Sequence, residues 1–111
     1  MTYTWHIPGT LESWDKSERF LIRAEVEPVE VRLTLGVAPA GAPLRVDILA
    51  DGVSIFGHGV PQLDPDTKTC TRRTFGTTAT SVAAGATLSL AIVDQGNNYS
   101  GEDLTVELDV A

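Results

Sequence analysis

Apolar and polar residues alternate along most of this chain with a period of two. Val29, Val31, Leu33, Leu35 and Val37 are separated by Glu30, Arg32, Thr34 and Gly36. Phe20, Ile22, Ala24 and Val26 alternate with Leu21, Arg23, Glu25 and Glu27. Leu44, Val46 and Ile48 alternate with Arg45 and Asp47, and Leu104, Val106, Leu108 and Val110 with Thr105, Glu107 and Asp109. Successive side chains of a strand leave opposite faces, so each run predicts a strand with one buried and one wet side. No long segment places apolar residues three and four apart, as an amphipathic helix would. Almost no helix is expected.

The residues between the runs predict turns. Asp51-Gly52 separates two apolar runs and suits a two-residue hairpin turn, whose central residues both take positive φ. That turn would pair Ala50 with Val53 and Ile48 with Ile55. Residues 38–43 hold two prolines, which lack the N–H a ladder needs, and read as a loop. Residues 61–66 read as another loop, Ala83-Ala84-Gly85 as a turn into a strand over 86–93, and residues 95–101 as the last loop. The count is about seven or eight antiparallel strands, which predicts one small all-β sandwich or jelly roll spanning residues 1–111. The strand over 86–93 is unusual. Its outer positions Thr87, Ser89, Ala91 and Val93 carry no charge, which suits a face covered by a loop or by a neighbouring subunit.

Composition narrows the function. At 111 residues the chain is long enough for one core, and its single Cys70 cannot close an intrachain disulfide. Cys70, between Thr69 and Thr71, reads as a half-buried structural thiol. Residues 1–6 lack the features of a secretory signal, and no apolar run reaches the length of a membrane span. The net charge is −7, and no lysine or arginine follows Arg73, which argues against nucleic acid as a partner. Lys68, Arg72 and Arg73 form the one local basic group, either a solvated loop or a contact for an acidic partner.

Catalytic chemistry finds little to work with. There is no nucleophile elbow and no phosphate-cradling glycine loop, and His6 and His58 are the only imidazoles. No catalytic residue is assigned, and the chain is not expected to be an enzyme or to need a cofactor. Asp94, Asn97, Asn98, Glu102 and Asp103 gather oxygen ligands near one loop without the spacing of a known calcium motif, so no metal site is assigned. Trp5, Trp14 and Tyr99 are the candidates for a sugar-binding platform. The competing reading is that large aromatics cap the ends of a small core, and at 6% aromatic residues the chain has few to spare.

The segments Trp5-His6-Ile7-Pro8-Gly9-Thr10-Leu11, Gly36-Val37-Ala38-Pro39-Ala40-Gly41-Ala42-Pro43-Leu44, Val46-Asp47-Ile48, Asp51-Gly52, Ile55-Phe56, Ala84-Gly85 before Leu88-Ser89-Leu90, Val93-Asp94-Gln95-Gly96, and Gly101-Glu102-Asp103-Leu104-Thr105-Val106 follow one another along the chain. Their order resembles a small β-sandwich module of tailed-bacteriophage virion proteins. The resemblance covers most of the chain and carries no catalytic residues. It implies a jelly-roll-like sandwich with a virion role, often as a homotrimer. Because the module stands alone, the expected role is a capsid decoration protein. It would assemble in the host cytoplasm and bind the major capsid protein on the outer surface of the head. The alternative is a carbohydrate-binding or host-adhesion module of a phage tail. Tyr3, Trp5 and Ile7 in residues 3–11, with Lys68, Arg72 and Arg73, are the expected partner contacts.

Overall fold

The computed structural model describes residues 1–11, 18–56, 59–75, 81–94 and 100–111. These form nine strands: β1 (Thr2–Thr10), β2 (Phe20–Leu21), β3 (Pro28–Thr34), β4 (Leu44–Ala50), β5 (Val53–Ser54), β6 (Gln62–Leu63), β7 (Thr69–Arg72), β8 (Thr87–Asp94) and β9 (Glu102–Val110). No described residue is helical. A four-stranded sheet has the order β1-β9-β3-β7, and a five-stranded sheet has β2-β8-β4-β5 with β6 also on β4. All pairings are antiparallel.

The pairings nest. β1 pairs with β9, β2 with β8, β3 with β7, and β4 with β5 and β6. The chain therefore behaves as one long hairpin whose successive strand pairs fall alternately into the two sheets, which is a jelly roll. The hairpin centre is as expected. Ala50 pairs with Val53, the Ile55 N–H donates to the Ile48 carbonyl at 3.0 Å, and Asp51 and Gly52 have φ of 50° and 82°.

The core fills the space between the sheets from alternate positions of each long strand. Tyr3, Trp5 and Ile7 come from β1, Val31 and Leu33 from β3, and Val46 and Ile48 from β4. Leu88, Leu90 and Ile92 come from β8, and Leu104, Val106 and Leu108 from β9. Burying a side chain of this kind contributes about 1.5–3 kcal/mol, so these inner faces hold the sandwich shut.

Three expectations change. The alternating run over 20–26 is a strand only at Phe20–Leu21; beyond it, Ile22 and Val26 bond the backbone of residues 82–86 while Arg23 and Ala24 bend away, exposed. Val29 and Val37, expected inside with Val31, are 49% and 40% exposed. A register shift between Pro28 and Glu30 turns Val29 outward, and Val37 lies beyond the end of β3. The loop expected over 61–66 contains β6, where Leu63 pairs with Leu44 and is buried beside it.

Candidate interaction surfaces

The outer face of the four-stranded sheet is built in rows. Register aligns Thr2 with Asp109 and Glu30, Thr4 with Glu107, Arg32 and Thr71, and His6 with Thr105, Thr34 and Thr69. Arg32 holds the centre. It donates to both oxygens of Asp109, at 2.8 and 3.2 Å, and to Glu30, with Glu107 at 3.9 Å. Arg73 reaches Glu30 at 2.8 Å, and the Thr2 hydroxyl donates to Asp109 at 2.6 Å. The guanidinium and the hydroxyl hold the Asp109 carboxyl down to about 2, and the two arginines lower Glu30. This is a self-satisfied ionic face.

The outer face of the five-stranded sheet is different. Leu21 lies beside Thr87, Leu49 between Ser89 and Ser54, and Asp47 beside Ala91. Val93 is set outward at a register shift between β4 and β8. Leu21 and Val93 are 59% and 48% exposed, and the side chains between them are small or half-buried. At the far end of this face Arg45 stands in register with Asp94 and Gln62 and donates to Gln62 at 3.2 Å, while Asp47 carries the one charge in the middle rows. It accepts a hydrogen bond from Ser54 at 2.7 Å, yet partial burial among uncharged neighbours raises its pKa. At one end, Asp51 at the hairpin tip caps β8. Its N–H donates to the Thr87 carbonyl, and its carboxylate accepts from the Thr87 N–H.

The expected contact residues of β1 do not reach the outer face of their sheet, and of the three only Tyr3 shows an edge, at the seam beside Phe20. Trp5 is wholly buried and Tyr3 and Ile7 nearly so, because odd positions of β1 face the core and even positions face water. This corrects the assignment of Trp5 and Ile7 as partner contacts, confines Tyr3 to the seam, and removes Trp5 from any sugar platform. The Trp5 indole N–H donates to the Glu18 carbonyl at 2.8 Å, and Phe20 packs against the Tyr3 and Trp5 rings at 5.2 Å. Trp14 and Tyr99 lie outside the described residues.

The basic segment is only partly available. Lys68 is exposed, and its carbonyl accepts from the Leu35 N–H. Arg72 is half-buried with its guanidinium carbon 5.3 Å from the centre of the Phe56 ring, which itself stacks on Phe75. Arg73 is engaged by Glu30. Two of the three charges are therefore committed within the chain, which the sequence could not show because Glu30 lies 43 residues away.

Chemistry-bearing residues remain scattered. Cys70 is half-buried, and burial raises its pKa, so the thiol stays protonated and weakly nucleophilic. His6 is exposed on β1, 3.0 Å from the Thr105 hydroxyl. No group of three or more His, Cys, Asp or Glu side chains suited to a metal ion occurs among the described residues. Asp103 accepts from the Gly9 N–H at 2.8 Å, whereas residues 95–99, His58 and the Asp94 side chain lie outside the description. No protein-family model and no curated protein matches this chain.

Proposed function

We propose that the chain is a structural protein of a tailed-phage particle, a decoration protein that binds the outside of the assembled head. The observation that carries this reading is the contrast between the two outer faces. One holds its arginines in ion pairs with its own carboxylates. The other offers Leu21, Leu49, Ala91 and Val93 with small hydroxyl residues between them. A sheet face whose middle is nearly uncharged can be covered there by a partner at little desolvation cost, whereas the Arg32 cluster would have to give up hydration around several charges.

The segment order shared with phage sandwich modules supports the choice of partner, and the jelly-roll topology suits it. Jelly rolls also serve in lectins, so topology adds less than the segment order. In this reading the five-stranded sheet faces the major capsid protein or a second copy of the chain, and three copies group on the shell. Binding only the assembled shell would stabilise it by mass action.

The test is binding of purified protein to undecorated heads, followed by electron microscopy of labelled particles. Regular labelling of heads is expected. Ala91→Arg, which places a charge at the middle of the uncharged face, should abolish labelling while shifting stability by less than about 0.5 kcal/mol. Labelling confined to tails would move the role to host contact. Failure of the wild-type chain to bind any part of the particle would overturn the virion reading.

A further inference from the structure

We propose that the seam between β1 and residues 20–26 is a docking groove for an extended polypeptide segment of a partner protein, one that alternates apolar and acidic residues. On one side of the sandwich β6 lies against β7 and closes it. On the other, the two terminal strands β1 and β2 leave a groove of about 550 Å³. Tyr3, Phe20 and Val26 form its apolar floor, with exposed Leu21 at its side and Arg19 and Arg23 at its rim. This volume lies within the range of about 300–1,000 Å³ usual for binding clefts.

Three features select the occupant. The first is backbone. Ile22 and Val26 bond residues 82–86, but the N–H groups of Arg23, Ala24 and Glu25 meet no backbone acceptor among the described residues. An extended peptide lying in the groove would offer its carbonyls to those of these N–H groups that face it. The second is the floor, whose apolar groups would take alternate side chains of a strand. The third is charge. Arg32 and Arg73 are both in ion pairs, whereas Arg19 and Arg23 form none with any described carboxylate. Two guanidinium groups without an ion-pair partner among the described residues, beside an apolar floor, complement acidic residues between apolar ones. Two arginines on a chain of net charge −7 are too few to hold a nucleic-acid backbone.

The test is an amide-resolved NMR titration of the full chain with a seven-residue peptide of alternating valine and glutamate, blocked at both ends. A counterpart carries lysine for glutamate. The acidic peptide should bind roughly tenfold or more tightly than the basic one, with shifts concentrated in residues 2–5 and 20–26. Arg19→Glu with Arg23→Glu should reverse that preference, and Leu21→Ser should weaken both peptides without lowering the melting temperature, since all three side chains are exposed. Equal binding of the two peptides, absence of binding, or shifts centred elsewhere would overturn the proposal. None of these outcomes bears on labelling of phage heads, so the two readings fail separately.

Discussion

The two sheets bury equivalent inner faces yet treat charge in opposite ways on their outer ones. Across β1, β9, β3 and β7, carboxylates sit beside guanidinium groups, and Asp109 and Glu30 are more acidic than usual. Across β2, β8, β4 and β5, Asp47 sits among alanine, leucine and serine and is less acidic than usual. The same side-chain type is therefore stabilised in its charged form on one face and penalised on the other. The difference follows from cross-strand neighbours: Arg32 stands opposite Glu107 and diagonal to Asp109, whereas Asp47 stands opposite Ala91. A face that charges itself is finished in water. A face that penalises charge is better suited to being covered.

The comparison assumes that both faces rest on one core, and the strongest way to break it is Trp5→Ala. Removing this fully buried ring, and the bond from its indole to Glu18, should cost about 3–5 kcal/mol in denaturant unfolding. A loss below about 1 kcal/mol would mean that β1 is not a core strand in solution, and its aromatics would again be free to meet a partner.

The ionic face is tested next through Arg32→Ala. The substitution leaves Glu30, Glu107 and Asp109 together with Arg73 and the N-terminal amine as nearby cations, so the melting temperature should fall at pH 7 and the Asp109 carboxyl should titrate closer to 3.8 than to 2. The sign follows from linkage. A carboxyl lowered on folding adds stability that is complete above its unfolded pKa and is lost as pH drops from about 4 towards 2. In the variant that acid-sensitive portion should shrink. Carboxylate chemical shifts against pH would read it, and an unmoved Asp109 titration would show that Arg32 does not set it.

Asp47→Asn should have the smallest effect and the opposite sign. A carboxyl raised on folding opposes folding once ionised, so its cost grows as pH rises from about 3.8 through the folded-state value and is fully present at pH 7. Asparagine keeps an acceptor for Ser54 without the charge. A gain of about 0.5 kcal/mol at pH 7 is expected, discounted because the side chain is half-exposed, with none at pH 3 where the carboxyl is already neutral. A loss at pH 7 would mean that the second face tolerates charge after all, and the contrast would fail.

Local pattern determined the strands whose alternation is clean and whose ends are marked. β4, the Asp51-Gly52 turn, β8 and β9 were legible because period two and turn chemistry act within a few residues. The uncharged side of β8 was legible too, as four residues in a row of alternate positions. The run over 20–26 misled because alternation says nothing about which backbone groups find a partner, and only residues 82–88 supply them. β6 was hidden because two residues beside Pro61 carry no periodic signal until Leu44 lies next to Leu63.

The amino-acid sequence alone determined an all-β domain, its main hairpin, the sign of its overall charge and the strand whose outer side lacks charge. Tertiary structure decided which alternate set of β1 went inward. A strand offers two faces, and Tyr3, Trp5 and Ile7 gain by burial only once β9 and Phe20 supply the other half of the core. It also decided which cations remain available, since Arg73 and Arg32 are neutralised by carboxylates far away along the chain while Arg19 and Arg23 are left at an open seam. Periodicity is a local property of the backbone. Burial and charge pairing depend on what the rest of the chain brings alongside.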